Sequence, residues 1–421
     1  MWFIEFKGEG SLALATIQKK KKMGNFTSRV LASCIGVWRT AGVGDRPDWS
    51  SLPNELLGSI VSRLPMPDHA RARAVCASWA SAALLADCPP SASHFPWLML
   101  DDDDGAFDSF LSLSDARSYR FRGTRTATQR DACVGSRDGC LVIVEAADTA
   151  PPLSSLSYLF NPVTGARTSL PSFCSLPWSK TFFDVRKIVL SSSASAAAAE
   201  GFVAVALVYS LSCCHLAFAR PGDERWTPLD FSCPPSQRIE DIAHHDRKLF
   251  VLFTRGRVQA FDLDAAASQE EAASRLYVTC AAAVDVALPR VHRHVRLVSS
   301  PGGLLRVESE KEVLTGATTK LSVAKFDVEW DCGWTEIKDL GDRSLFLDDK
   351  CSFSLSAGDV AGVRKNCVYF VDQVPHSGRI RVGDLRTFDV EKGVVERFRP
   401  PNSRINDRRL TAPIWFVPSL L

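Results

Sequence analysis

Histidines, clustered carboxylates and cysteines are the side chains of this chain that could do chemistry, and their spacing decides which chemistry is open to them. His244-His245 and His292-x-His294 are close enough in sequence to share a metal. A zinc site needs further Cys, His or acidic donors at regular offsets, and neither pair has them. Asp101 to Asp104 are four consecutive carboxylates that could attract a cation. Calcium loops space their ligands along a turn, so an unspaced run reads as a solvated loop. Arg404, Arg408 and Arg409 form a basic cluster near the end of the chain, read as a solvated loop with a partner contact as the alternative. The thirteen cysteines are odd in number, contain no C-x-x-C and include the adjacent Cys213 and Cys214. That pattern is neither a disulfide framework nor a zinc ribbon, and the thiols are expected to be reduced and mostly buried, in the cytosol or nucleus. No G-x-G-x-x-G, phosphate-loop or G-x-S-x-G segment occurs, so no cofactor, metal or catalytic residue is assigned.

The bulk numbers narrow the classes further. With 46% hydrophobic and 23% charged residues in 421, the chain can bury a large core. A net charge of +2 gives no electrostatic footprint for nucleic acid or an anionic membrane. No stretch reaches the roughly 18 apolar residues that a membrane helix needs. Residues 1–47 show no sustained period and read as a disordered leader or a mispredicted start. The basic run Lys19 to Lys22 precedes no apolar core, which excludes a secretory signal. Met23-Gly24-Asn25-Phe26-Thr27-Ser28 fits a myristoylation pattern only if translation begins at Met23.

Trp49 to Asp87 is the first stretch with a clear element pattern. Leu52-Pro53-Asn54-Glu55 opens a helix, with proline where its missing N–H is harmless and Glu55 at the positive end of the dipole. Leu57, Ile60, Val61 and Leu64 then form one apolar stripe, and Pro65 stops the helix. Pro67 and Asp68 open a second helix whose Ala72, Val75, Cys76 and Trp79 repeat the spacing, and Leu84-Leu85 mark a third. Three helices in about 40 residues rarely build a self-sufficient core, so the stripe is expected to seek a partner or the rest of the chain.

The same residues resemble the F-box motif: Leu52-Pro53-x-Glu55-Leu56-Leu57-x-x-Ile60, then Leu64-Pro65, then Arg71-Ala72-x-Ala74-Val75-Cys76-x-x-Trp79. The resemblance implies docking on the Skp-type adaptor of a cullin–RING ubiquitin ligase. The positions carried over are Leu52, Pro53, Leu56, Ile60, Leu64, Val75, Cys76 and Trp79, some of which must face the module's own interior.

Beyond the helices the sequence turns to β. Strand-length apolar runs such as Leu141–Val144, Phe202–Ala206, Leu249–Phe253 and Val368–Val371 alternate with Gly, Asp and Pro turns, and the Ala-rich 194–200 reads as a loop insertion. An aromatic or leucine, usually followed by Asn or Asp, marks the second strand of each repeat: Leu111, Phe160-Asn161, Phe218, Phe261-Asp262, Phe326-Asp327 and Phe388-Asp389. These landmarks lie 43 to 65 residues apart, a period that fits four-stranded propeller blades and predicts six of them. Trp226-Thr227-Pro228-Leu229 echoes Trp334-Thr335-Glu336-Ile337, and Ile414-Trp415-Phe416-Val417 is placed to complete the blade that Trp97–Leu100 begins.

Trp334–Ile337, Leu340–Leu347, Gly362–Phe370 and the opening Pro96–Leu100 resemble the plant F-box-associated KIB-type β-propeller. The expected fold is therefore multidomain, α then all-β: a leader 1–47, an F-box helical module 48–88 and a KIB-type β-propeller 89–421. The resemblance implies a non-catalytic receptor that joins the adaptor, and through it a cullin, to an unknown target protein. The alternatives are an F-box protein outside any ligase, a degenerate copy, or a propeller enzyme with convergent carboxylates or a nucleophile–base pair in its channel. Residues that would bind the target are not assigned.

Overall fold

A computed structural model gives the fold and describes residues 2–7, 14–19 and 49–419, except 63, 65, 86–94, 101–108, 122–131, 146–155, 179–182, 192–200, 211–212, 230, 232–237, 264–273, 278–290, 328–332, 373–379, 400–404, 406 and 411–413. The readings made on Met23–Ser28, Asp101–Asp104, 194–200 and Arg404 lie outside the described residues. The chain divides into two compact units, Met1–Pro53 and Asn54–Leu421, so the division falls inside the expected 48–88 module. In the first unit Trp2–Lys7 pairs antiparallel with Leu14–Lys19, where the sequence shows no sustained period. Neither strand alternates cleanly, since Trp2-Phe3-Ile4 are three apolar residues in a row and Leu14-Ala15 two, so no period of two stands out.

The second unit opens with three helices, α1 (Asn54–Val61), α2 (Met66–Arg73) and α3 (Ala77–Leu85), with α3 packed on both others. Four antiparallel four-stranded sheets follow in chain order. In the first, Trp415–Phe416 pairs with Trp97–Met99, which pairs with Ser109–Ser112 and then Arg117–Arg120. The second is Ala132–Arg137, Cys140–Val144, Ser157–Phe160 and Arg167–Leu170. The third is Phe183–Leu190, Ala204–Ser210, Cys214–Ala219 and Thr227–Leu229. The fourth is Ile239–His245, Lys248–Phe253, Val258–Asp262 and Ser274–Tyr277.

After these comes one nine-stranded sheet where the landmarks predict two blades. Two arms, one carrying Phe326 and the other Phe388, are joined by a parallel bridge at Ser299–Phe353, and Arg343–Phe346 pairs parallel with Cys367–Val371. The six-blade count therefore stops at four separate sheets and a fused fifth region. In the four separate sheets the landmarks fall in the third strand counted across the sheet, not the second, and Phe326 is third in its arm as well. Their chemistry explains the regularity. The aromatic fills the core between sheets, and the polar residue after it shapes the turn: Asn161 Oδ1 accepts from Val163 N at 2.9 Å, and Asp389 Oδ1 from Lys392 N at 3.1 Å. Trp226 and Trp334 are equivalent as well, each leading an outermost strand and each donating its indole N–H to a carbonyl of the preceding sheet, Pro171 and Gly256.

The first strands of the sheets are neighbours in order: Trp415–Phe416 beside Ala132–Arg137, then Phe183–Leu190, Ile239–His245 and Val291–Ser300. They form the inner wall of a propeller. The apolar cores lie between consecutive sheets, and the last of them joins Phe346, Tyr369 and Val371 to Phe95, Leu98, Leu111 and Trp415 of the first sheet. The C-terminal strand thus closes the ring against the segment that follows the helices, as the sequence predicts, in register Trp415–Leu98 and Phe416–Trp97. Closure removes the open end at which another chain could add a strand.

Candidate functional site

The helical module sorts the F-box positions by burial. On α1, Leu57 and Val61 are fully buried, while Leu56 and Ile60 are half-buried one row away. Residues four apart share a helix row, so the single stripe read from sequence is two rows, one facing the module and one beside it. Leu64 and Cys76 are half-buried, and Val75 is 52% exposed. Trp79 is 8% exposed and belongs to the interior with Ala72, Ala82 and Ala83, so it supports the surface and does not form it. In the first unit Leu52 is half-buried and Pro53 exposed.

The second predicted helix is two helices. Ala74 and Val75 bond to carbonyls three residues back, which tightens and ends α2, and the Cys76 carbonyl accepts the first bond of α3 from Ala80 at 2.8 Å. That break turns Val75 outward, although the spacing placed it with Trp79 on one face. His69, which sequence reasoning missed, is 1% exposed with neither ring nitrogen bonded. Burial, with Arg73 nearby, holds its imidazole below the usual range.

A second set of groups lines the propeller's inner wall. Three of its strands carry a bulge at the same place, which leaves Val134, Arg186 and Glu240 as extra residues. The residues after the bulges lace the wall together. A Cβ on Gly135 would come within 2.4 Å of the Ile188 carbonyl oxygen, Lys187 Nζ bonds Asp241 Oδ1 at 2.7 Å, and Asp241 Oδ2 accepts from Leu297 N at 2.8 Å. The loop Leu347–Ser352 reaches several of these strands. Lys350 Nζ donates to the Arg186 carbonyl at 2.8 Å, Cys351 Sγ to the Ser136 carbonyl at 2.6 Å, and Arg296 pairs with Asp349.

Asp348 fastens the closing strand. Its Oδ2 accepts from Trp415 N at 3.0 Å, and its Oδ1 from Lys350 N at 2.6 Å and from Cys351 N. Burial pushes its carboxyl up to about 7 from 3.8, against the three backbone donors. Asp349 moves the other way, down to about 2, because Arg296 outweighs its burial. A raised acid favours the folded state when protonated, so the stability it contributes is complete below 3.8 and is lost as pH rises through about 7. Asp348→Asn is therefore expected to flatten the loss of stability between about pH 4 and 7, read as the difference in urea midpoints of wild type and variant. His294, held down to about 4 by burial, pulls stability the opposite way below 6.5 in both proteins. Parallel slopes for the two proteins would refute the assignment.

Carboxylates and one Ser–His pair do lie on this wall, as a propeller enzyme requires, and a second Ser–His pair lies on the second and third strands of the third sheet. Ser299 Oγ lies 3.0 Å from His245 Nδ1, and Ser210 Oγ 3.0 Å from His215 Nε2. Among the described residues no carboxylate orients either ring, and the His215 ring is stacked on Trp178 at 4.2 Å. Asp241 has backbone donors on both oxygens and the Lys187 ammonium on one, and Asp348 has backbone donors on both. A triad-like base needs a third group to fix its tautomer, and a reacting carboxylate needs a free oxygen. These groups hold strands together. No group of three or more His, Cys, Asp or Glu able to hold a metal occurs among the described residues, and no helix there is long and apolar enough to cross a membrane.

A family model described as F-box-like matches residues 49–85, and one described as KIB1-4 beta-propeller matches residues 110–393. The chain is 26% identical over 386 residues to F-box protein SKIP23 of Arabidopsis thaliana, covering 83% of this chain and 91% of that one. It is also 22% identical over 354 residues to a putative F-box protein of the same plant, covering 77% and 83%. Among solved structures, a puromycin-hydrolyzing peptidase of Mycobacterium tuberculosis aligns at 14% identity with a TM-score of 0.35, over 73% of this chain and 49% of that one. A likeness that slight bears on neither fold nor chemistry.

Proposed function

The chain belongs to the KIB1-4 beta-propeller family and carries an F-box-like segment ahead of it, and on that premise we propose that it is a target-recognition subunit of a Skp–cullin–F-box ubiquitin ligase. The helical module docks on the Skp-type adaptor, and the propeller holds a target protein, in the cytosol or nucleus. The chain does no chemistry itself and supplies proximity to a transfer that other subunits carry out.

The observation that carries this reading is the row of half-buried apolar side chains, Leu56 and Ile60, set beside the fully buried Leu57 and Val61. A short three-helix module leaves Leu56, Ile60, Leu64, Val75 and Cys76 incompletely covered, and apolar side chains in that state mark protein contacts. Leu52 and Pro53, half-buried and exposed in the first unit, complete the carried-over set, with Trp79 as internal support.

Co-purification with a plant Skp-type adaptor tests it. Wild type is expected to capture the adaptor, and Leu52→Ala/Pro53→Ala to lose most of it. Ile60→Asp should weaken capture roughly thirtyfold or more, since a hot-spot loss of about 2 kcal/mol corresponds to that factor. Unchanged circular dichroism separates lost docking from lost folding. Folded wild type that fails to capture any adaptor would end the proposal, and capture of adaptor without cullin would place the chain outside a ligase.

A further inference from the structure

We propose that His69 is an acid-sensitive latch of the helical module: neutral, it anchors α2 in the interior, and protonated, it releases α2 from α3 and disrupts the edge formed by Val75 and Cys76. The inference rests on the adaptor reading above and adds a regulation of that same surface.

Little holds α2 in place. Among its described side chains only His69 and Ala72 are buried, three apart on one row, while Asp68, Arg71 and Arg73 all keep some exposure. An alanine has little surface to bury, so the imidazole is the larger anchor. It sits at 1% exposure with no hydrogen bond at Nδ1 or Nε2. A neutral ring hides one N–H and one lone pair there, whereas an imidazolium would hide a charge and two N–H donors.

The surroundings offer no acceptor for that charge. The other buried residues of the three helices described here are Leu57, Val61, Trp79, Ala82 and Ala83, and none has an acceptor in its side chain. α3, which packs on α2, has no titratable side chain, and α1 has only Glu55, in its first turn. On α2 itself Asp68 is paired with Arg71 at 2.7 Å. Of the first sheet, Tyr119 lies within reach of the Asp68 charge, and its hydroxyl donates to Asp115. Burial, and after it the Arg73 guanidinium one turn along, hold the His69 ring below its usual range. A depressed imidazole leaves the closed module fully stable above 6.5 and weakens it as pH falls below that value. The edge follows α2 because the break that ends this helix is what turns Val75 outward.

The test is amide exchange of the full-length chain at about pH 7.5 and about pH 5.5, corrected for the intrinsic rate. Protection of α2 is expected to fall about tenfold in wild type, the change in proton binding by a free imidazole over that range, and less than about twofold in His69→Leu. His215, His245 and His294 also weaken the fold in acid, but they are common to both proteins and leave the difference to His69. Affinity for a plant Skp-type adaptor should weaken over the same range more in wild type than in the variant. Equal loss of protection in the two proteins would overturn the latch, and lost protection with equal adaptor affinities would overturn its regulatory role. Where His69→Leu does not fold, wild type alone decides: α2 must lose protection ahead of Lys248–Phe253, and uniform loss refutes the proposal. Wild type that captures no adaptor at either pH would sink the ligase reading alone, because exchange reads the latch without the adaptor.

Discussion

Replacing Asp241 with alanine is expected to cost about 3–5 kcal/mol of stability, the range for breaking one side of a buried ion pair. Asp241 is 3% exposed and Lys187 4%. The carboxylate serves three strands at once. Oδ1 accepts from Lys187 of the third sheet at 2.7 Å and from Ile242 N of its own strand at 2.8 Å, and Oδ2 accepts from Leu297 N of the next inner strand at 2.8 Å. Removing it leaves an ammonium and two backbone N–H groups without acceptors in a site that water does not reach. The pair is not therefore a net gain over apolar residues, because desolvation offsets much of the attraction. The double replacement Lys187→Met/Asp241→Leu is accordingly expected to recover most of the loss, with Leu297 N as the residual defect. Urea-denaturation midpoints of the two variants measure both effects. A single-variant loss below about 1 kcal/mol would mean that the pair is exposed in solution and does not lace the wall.

The local signals in this sequence survive folding, and the distant ones do not appear in it. Leu52-Pro53 and the α1 stripe are visible because proline placement and a 3.6-residue period act within one or two turns. The aromatic-plus-Asn/Asp landmarks are visible for the same reason: Asn161 shapes a turn whose residues lie only two and three positions away. Ala72, Val75, Cys76 and Trp79 show where such reading fails. A break of three residues between α2 and α3 left the i, i+3, i+4, i+7 spacing intact, so periodicity alone could not reveal it. The fusion of the last sheets depends on a bridge between Ser299 and Phe353, and the wall on an ion pair between residues 187 and 241. Neither pair leaves a mark in its own neighbourhood. One signal could have been taken up: in Phe183–Leu190 the alternation sets Asp184 and Arg186 outward and puts Lys187 on the buried side with Phe183 and Val185. A lysine there needs a partner. Which of the half-buried F-box positions face outward follows from how α3 covers α1, and that is a packing fact beyond any spacing rule.

Trp415→Ala is expected to lower stability by about 3–5 kcal/mol and to loosen the ring at one identifiable seam. Trp415 is 1% exposed, and its ring meets Phe346 edge-on at 5.1 Å between centroids. Its backbone N–H is held by Asp348 and its indole N–H by the Leu347 carbonyl at 3.3 Å, so the same residue couples the C-terminal strand to the last sheet and to the inner-wall loop. Beyond it, Ser419 accepts from Asn161 Nδ2 at 3.1 Å and lies so close to Gly139 that a Cβ there would meet it at 2.3 Å. Gly139 adopts φ +84 in a tight turn, so a larger residue would be both strained and in collision. The tail therefore seals the first sheet and touches the second. If it is the seam, the loss from Trp415→Ala should concentrate in amide exchange of Trp97–Met99 and its neighbours before the fourth sheet responds, because opening at one interface precedes global unfolding. Trp49→Ala, at a position 40% exposed, is expected to stay within about 0.5 kcal/mol of wild type. Uniform acceleration of exchange across all sheets would instead mean that the propeller unfolds as one unit and that closure adds stability without directing where it fails.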